Sequence, residues 1–335
     1  MALTLLDMAN LETEPLRKGV LMTMLEEPFV VDRIPWENVG SLDVTVTYVS
    51  GVPVVGFRNI NEAPGNVEVS TAQRQVSLKV LETNIDVDWV LTKTKNVVQN
   101  PRTLQTQVVM KGISYTVNDL FLNGDPLANP KNPTGLKYLS EYEARFQGGV
   151  TSGNDRGQVL DAAGLNCNDG NSTKQLTLLD DIDACIYKVE GHKPDVALLN
   201  MQELLRVRSI LRALKLLDTT KDQFDRKIDV YMGIPLLDIG VKAEGAILGA
   251  AANQCLLNDG ETSPFAATGS TSSIYLVRWG DLYVQGLQMQ PLQTDDLGRL
   301  KDSPHIVRTN VSWVMGFNVN SMRSFSRLCG LDVSA

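Results

Sequence analysis

The chain has 335 residues, a formal net charge of −8 at pH 7, 43% hydrophobic residues and 21% charged residues. These are ordinary values for a globular protein with a sizeable core, and the length predicts about two domains. Proteins that bind nucleic-acid phosphates tightly usually carry a basic face or a basic overall balance. The acidic balance therefore argues against tight or sequence-specific nucleic-acid binding.

The four cysteines, Cys167, Cys185, Cys255 and Cys329, form no C-x-x-C pair, which predicts reduced and mostly buried thiols. The N-terminus lacks the basic segment and apolar run of a signal peptide. No uninterrupted apolar segment approaches the roughly 18 residues that a transmembrane helix needs. We therefore expect no membrane partner.

The first 90 residues predict an arm followed by a hairpin. In residues 1–43 three prolines interrupt a weak helical periodicity, which favours an extended arm. Residues 44–60 are rich in β-branched side chains, residues 67–90 alternate apolar and polar side chains, and residues 61–66 form a turn signal between them. Isolated two-stranded ribbons are marginally stable in water. The hairpin therefore either folds onto its own subunit or projects and packs on a neighbour, and both possibilities stay open.

The best-defined element is a helix from Pro101 to Leu122, about 33 Å long at 1.5 Å per residue. Asn100 is suited to the N-cap and Pro101 to the first helical position. Asn123 and Gly124 predict a left-handed stop. Gly112 lies mid-helix, costs about 1 kcal/mol relative to alanine, and would permit a bend or a close crossing by another backbone. Apolar residues at helical spacing form a predicted stripe: Leu104, Val108, Ile113, Val117, Leu120 and Phe121.

The second half of the chain predicts shorter elements. A helix is expected over 178–189, with Asp180, Asp181 and Asp183 in its first turn. The helix dipole favours negative charge there. A catalytic carboxylate cluster is therefore the weaker interpretation of these three residues. A buried strand over 196–200 leads to a helix through residue 215, with Asn200 and Glu203 forming a capping box. Strand pairs are expected over 227–238 and 272–289, and strands close the chain.

The search for chemistry finds no phosphate-binding glycine loop and no nucleophile elbow. The two histidines, His192 and His305, have no ligand partner at metal-binding spacing. We therefore predict no catalytic, cofactor or metal site. The four tryptophans are expected to pack in the core or at interfaces.

Several weak motifs follow one another in an order that resembles the major capsid protein of tailed bacteriophages, the α+β family with the Johnson fold. The motifs are VTVTYVSGVPVVGFRNINE, LFLNGD, TGL, LLDDIDACIYKV, ALLNMQELL, DVYMGIPLLDIG, SIYLVRWGDLYVQGL and VSWVMGFNVNSMRSFSRLCGL. Together they cover nearly the whole chain.

The resemblance implies a division into an N-terminal arm (1–43), an extended hairpin loop (44–90), a peripheral domain with a long spine helix (91–191 and 301–335) and an axial domain (192–300). Three groups of residues would then have structural roles. The intersubunit contacts of the hairpin would use Arg58, Asn61, Glu62, Glu68 and Arg74. The spine and its exit would use Asn100, Pro101, Gly112, Asn123, Gly124, Asp125, Gly135 and Leu136. The C-terminal return would use Trp313, Gly316, Arg323 and Ser324.

The implied function is self-assembly, as pentamers and hexamers, into an icosahedral head around packaged double-stranded DNA. The chain would be part of the virion and would assemble in the cytoplasm of a bacterial host. The resemblance implies separate scaffolding and portal proteins, with a decoration protein as an option, and only weak non-specific proximity to DNA. Residues 57–76 contain no lysine, so crosslinking at the hairpin tip is not expected, although Lys79 remains a candidate. The alternatives are an encapsulin-type nanocompartment and, more remotely, an enzyme of unfamiliar fold.

Overall fold

The computed structural model describes residues 33–51, 55–60, 63, 66, 70–93, 101–140, 155–156, 158–162, 164–165, 172–221, 227–240, 257 and 271–332. Most of the predicted arm, together with Asn61, Glu62, Glu68 and Asn100, lies outside these ranges. The predictions for those residues are therefore not addressed by the structure.

The described residues contain both helices and strands. The helices are α1 (Trp89–Lys93), α2 (Pro101–Asn123), α3 (Ser172–Lys188) and α4 (Met201–Ala213), with short 3-10 turns at Glu190–His192 and Met322–Ser324. The strands are β1 (Trp36–Asn38), β2 (Asp43–Gly51), β3 (Ser70–Ser77), β4 (Lys79–Asp88), β5 (Asp155–Arg156), β6 (Val159–Asp161), β7 (Val196–Leu199), β8 (Asp218–Lys221), β9 (Lys227–Tyr231), β10 (Ile234–Asp238), β11 (Thr271–Val277), β12 (Val284–Arg299), β13 (Ile306–Val319) and β14 (Phe325–Asp332).

The described strands form three sheets. One sheet has the order β1-β12-β13-β4, a second has the order β5-β6-β14-β11-β7-β10-β9-β8, and β2 pairs with β3 alone. The first sheet pairs early strands with late ones: Trp36 of β1 pairs with Gly286 of β12, and Asp88 of β4 pairs with Ile306 of β13. The second sheet is mixed, with parallel pairing of β7 to β10 and of β14 to β6.

The spine helix α2 packs against the four-stranded sheet. Ile113, Val117 and Phe121 recur at a spacing of four residues, and all three are buried. They join a core that includes Trp36 and Trp313, whose ring centroids are 4.8 Å apart. The predicted stripe is wrong at Val108, which is 57% exposed.

Helices α3 and α4 cover one face of the eight-stranded sheet. Their apolar sides, represented by Ile182, Ile186 and Val207, lie in one core with Leu199 and Leu236 from the strands. The predicted cap of α4 is confirmed, since Asn200 and Glu203 form a complete capping box. The predicted strand pair over 227–238 is also confirmed as β9 and β10.

Three predictions about elements are wrong. The second strand of the hairpin does not continue to residue 90: β3 ends at Ser77, and β4 pairs with β13 instead. Strands β11 and β12 do not pair with each other but belong to different sheets. Helix α3 begins at Ser172, so Asp180 lies two turns inside it and its position is not explained by the dipole of a first turn.

Candidate assembly surface

The hairpin is attached to its own subunit at its root. The backbone N–H of Leu78 donates to the carbonyl oxygen of Leu42 at 2.7 Å, where the chain passes from β3 to β4. Val76 and Leu78 are buried in a small cluster with Leu287 of β12. The root therefore folds onto its own core, and packing of the rest of the hairpin on a neighbour stays a prediction.

Arg74 reinforces this attachment. Its Nη2 donates to the carbonyl oxygen of Val319 at 2.7 Å and to Oδ1 of Asn318 at 3.2 Å, at the end of β13. The side chain is half-buried. The structure thus gives Arg74 a role inside the subunit, and its contact with a neighbour stays a prediction.

The tip of the hairpin exposes apolar side chains. Val55 is 76% exposed, Ile60 is 93% exposed, and Phe57 is as exposed as in an extended chain at 109%. Arg58 is exposed in the same segment. The sequence prediction named only charged and polar residues in the hairpin. The aromatic Phe57 and the β-branched Val55 and Ile60 precede the turn signal at residues 61–66, and this pattern could have indicated a contact surface.

The exit of the spine helix depends on a close approach of two glycines. Neither Asn123 nor Gly124 has a positive φ, so the predicted left-handed stop is wrong. Instead, the N–H of Gly135 donates to the carbonyl oxygen of Gly124 at 2.8 Å. A Cβ on Gly124 would lie 2.4 Å from the carbonyl oxygens of both Leu120 and Pro133. Both glycines are required because their backbones touch.

The exit loop beyond Gly124 is held by local bonds and by burial. Oδ1 of Asp125 accepts from the N–H of Leu127 at 2.7 Å, which closes an Asx turn. Leu136 is 1% exposed and belongs to the same core as the spine. A Cβ added to Gly112 would meet no atom of the described residues within 4 Å, so no other backbone of that part of the subunit crosses closely there, and the role of Gly112 stays a prediction.

Two ion pairs join segments that are far apart in the chain: one ties α2 to the four-stranded sheet, and the other ties two strands of that sheet together. Arg102 near the start of α2 lies 2.5 Å from Asp296 of β12 and also donates to Oγ1 of Thr309 at 2.6 Å. Arg308 of β13 donates twice to Asp86 of β4, at 2.7 Å each. The arginine hydrogen bonds hold the pKa of Asp296 and that of Asp86 below the ordinary range. The sequence prediction missed both pairs, since their partners are far apart in the chain.

The C-terminal return brings the last strands under the hairpin root. Trp313 is buried, and its Nε1 donates to Oε1 of Gln288 at 3.1 Å. A Cβ on Gly316 would lie 3.0 Å from Cδ2 of Leu78, so the glycine leaves room for the root. Ser324 is buried and its carbonyl oxygen accepts from the N–H of Arg278 at 2.9 Å, whereas Arg323 is exposed.

The acidic residues of α3 form part of the packed surface. Oδ1 of Asp183 accepts a hydrogen bond from the hydroxyl of Tyr231 at 2.9 Å. Burial and the neighbouring Asp180 raise the pKa of Asp181. Nδ1 of His192 lies 2.7 Å from the carbonyl oxygen of Tyr187. Within the described ranges, no group of three or more histidine, cysteine, aspartate or glutamate side chains is placed to hold a metal ion.

Among the helices that the structure describes, none is long and apolar enough to cross a membrane.

No family model and no curated protein sequence matches the chain. Solved structures do match it over most of its length. The SrpI encapsulin of Synechococcus elongatus is 15% identical, with 92% of this chain and 88% of that chain covered and a TM-score of 0.60.

A Microbacterium phage, Oxtober96, is 9% identical, with 90% of this chain and 89% of that chain covered and a TM-score of 0.57. The capsid of a native GTA particle is 13% identical, with 88% and 87% covered and a TM-score of 0.55. The chain has the HK97-like phage capsid fold. This confirms the Johnson fold and the α+β class predicted from the sequence. The assignments of α2 as the spine helix and of β2–β3 as the extended hairpin stay predictions.

Proposed function

We propose that this chain is a shell subunit, the major capsid protein of a tailed phage, whose role is structural rather than catalytic. The observation that carries the proposal is the fold match, which spans about nine-tenths of both chains for subunits of a phage particle and a GTA particle. Copies of the chain would assemble as pentamers and hexamers into an icosahedral head around double-stranded DNA, with separate scaffolding and portal proteins.

The hairpin supplies the physical basis for self-association. Its root is fixed to its own subunit through Leu78 and Arg74, while its tip exposes Phe57 and Ile60. Covering such side chains stabilises a contact by roughly 25 cal/mol per Å² of apolar surface removed from water. A second copy lying under the tip would cover them. Because a shell repeats this contact at every subunit, modest individual contacts sum to a stable particle.

The first experiment is electron microscopy of the expressed chain, alone and with candidate scaffolding proteins from the same genome. Uniform closed shells are expected. A chain that stays monomeric under all assembly conditions would refute the proposal. Deletion of the tip, residues 55–60, should leave a folded subunit that no longer forms shells, and normal shells from this variant would remove the hairpin from the mechanism.

The second candidate function is an encapsulin-type compartment, which the TM-score of 0.60 to the SrpI encapsulin favours. The two functions differ in what the shell contains. Particles isolated from the natural host should hold DNA and carry a portal at one vertex if the chain is a phage capsid protein. Particles that hold a protein cargo and no DNA would support the encapsulin function and overturn the phage proposal.

The proposed DNA contact is weak. The formal charge of −8 provides no net attraction for phosphates, and each phosphate neutralised would add salt-dependent affinity. Isolated subunits should therefore show little DNA binding at physiological salt in a filter-binding or anisotropy measurement. Submicromolar binding under those conditions would contradict this part of the proposal.

Crosslinking at the hairpin is not expected, with Lys79 as the one residue to check at its root. Lys79 is half-buried and lines a cavity of about 250 Å³ with Arg74 and Tyr138. Intact-mass measurement of denatured particles should give the mass of single chains. Covalent multimers would show that a lysine does react.

A further inference from the structure

Helices α3 and α4 bury one side against the same sheet face and leave the opposite side exposed. On α3, Leu176 is 50% exposed and Tyr187 is 62% exposed, and Asp180 between them is also exposed. The spacing of four and seven residues places these three side chains on one outer stripe. We call this stripe, together with the adjoining Asp181 and Met232, the acidic face.

The outer stripe of α4 has the same mixture of apolar and charged residues but the opposite sign. Met201 is 56% exposed and Leu205 is 51% exposed, and Arg212 follows on the same stripe. Just beyond the helix, Lys215 is exposed and Leu216 is 56% exposed. We call these five residues the basic face. Each copy of the chain therefore carries one acidic and one basic face, both with exposed apolar side chains.

The acidic face ends at a cavity. A space of about 340 Å³ lies between α3 and the β9–β10 turn, lined in part by Asp183, Tyr187 and Met232. The turn holds Met232 in the left-handed region with φ 49°, which is unfavourable for a residue other than glycine and keeps the side chain 66% exposed beside the cavity. The opening thus has an apolar rim next to the carboxylate of Asp183, and His192 and Lys193 line its other side.

We propose that the acidic face of one copy binds the basic face of a second copy. The proposal rests on the proposed self-assembly and adds a contact distinct from the hairpin. Charge complementarity identifies the occupant: the acidic face needs a partner with cations beside apolar side chains, and Arg212, Leu205 and Leu216 provide that combination on the chain itself. In a contact between unlike faces, each copy uses its acidic face for one neighbour and its basic face for another, so the contact can repeat from copy to copy.

The charges on the two faces determine how two copies are oriented relative to each other. Complementary charges steer the faces into register, and like charges brought together oppose binding. The apolar side chains supply the surface that is removed from water. Copies meeting acidic face to acidic face would be repelled, so the arrangement of charges selects one relative orientation.

Charge reversal tests the contact. Asp180→Arg and Arg212→Asp should each raise the subunit concentration required for assembly about tenfold or more, because attraction is replaced by repulsion. The double variant should restore assembly, since every contact then pairs the swapped charges. The matched control is Asp302→Arg, at an exposed aspartate between β12 and β13.

Sedimentation gives the assembled fraction, and circular dichroism with thermal unfolding verifies that each variant is folded. Normal assembly of either single variant would overturn the proposal. Failure of the folded double variant to assemble would also overturn it, because it would show that the two faces do not meet between copies. A wild-type chain that never assembles would refute the proposed function as well, whereas wild-type shells that are insensitive to the reversals would refute only this contact.

Discussion

The crossing of Gly124 and Gly135 can be tested against Gly112 with the same substitution, glycine to alanine. A Cβ on Gly124 would lie 2.4 Å from two backbone carbonyl oxygens, and one on Gly135 would lie 2.5 Å from the nitrogen of Gly124. These neighbours are backbone atoms and cannot rotate away. At Gly112, by contrast, nothing lies within 4 Å of the added methyl group.

The expected magnitudes follow from these distances. Overpacking costs about 1–3 kcal/mol, and weakening the bond from Gly135 to Gly124 costs about 1 kcal/mol more. The reduced freedom of the unfolded chain offsets about 0.4–1 kcal/mol. Gly124→Ala and Gly135→Ala should therefore each lower the free energy of unfolding by about 1–3.6 kcal/mol. Gly112→Ala should raise it by about 1 kcal/mol, because alanine is the better helix former.

The assay is urea unfolding of unassembled subunits at low concentration, followed by tryptophan fluorescence. Trp279 is a suitable reporter, since its ring centroid lies 5.7 Å from that of Phe121, close to the helix exit. Equal or greater stability of both exit variants relative to wild type would refute the close crossing. The Gly112→Ala variant has a second use: if the spine bends differently in different shell positions, it should be more stable as a subunit yet impaired in assembly. Unchanged particles would leave Gly112 as a simple packing feature.

Three further predictions concern the hairpin, the spine and the core. Charge reversal at Arg58 or Arg74 should give a folded subunit that assembles poorly. Normal particles from both variants would count against a role for these arginines in assembly. Asp296→Asn should lower stability at neutral pH by about 0–1 kcal/mol, since the pair with Arg102 is partly exposed. Because the pKa of Asp296 is depressed, its contribution to the free energy of unfolding is present above pH 3.8, the ordinary value, and is lost as the pH falls through the lower pKa of the folded state. The urea midpoints of wild type and variant should therefore converge at strongly acidic pH. Trp313→Ala should cost about 3–5 kcal/mol because the buried ring leaves a cavity, and an unchanged thermal midpoint would contradict this.

The parts of the fold that were predictable depend on neighbours in sequence. The start of α2 followed from Pro101, and the capping box of α4 followed from Asn200 and Glu203, because these signals lie within one turn of the helix end. The same locality explains the failure at α3. Its first residues are polar and largely exposed, so no apolar periodicity indicated that the helix begins at Ser172.

The parts that were not predictable depend on partners far away in the chain. Alternation identified residues 67–90 as strand-forming, but only the pairing of β4 with β13 shows that the strand changes partners at Leu78. Local patterns likewise could not show that β11 and β12 lie in different sheets. Gly124 was correctly expected to matter at the helix end, but for the wrong reason, because the approach of Gly135 is a tertiary contact.

The four-stranded sheet has a consequence for the order of events during synthesis. Strands β1 and β4 are made early, yet their hydrogen-bonding partners β12 and β13 extend to Val319. Arg74 also finds its acceptors only at Asn318 and Val319. The hairpin root therefore lacks these hydrogen-bond partners until the chain has been made as far as Val319. Assembly through the hairpin tip is therefore expected only once β13 has been synthesised.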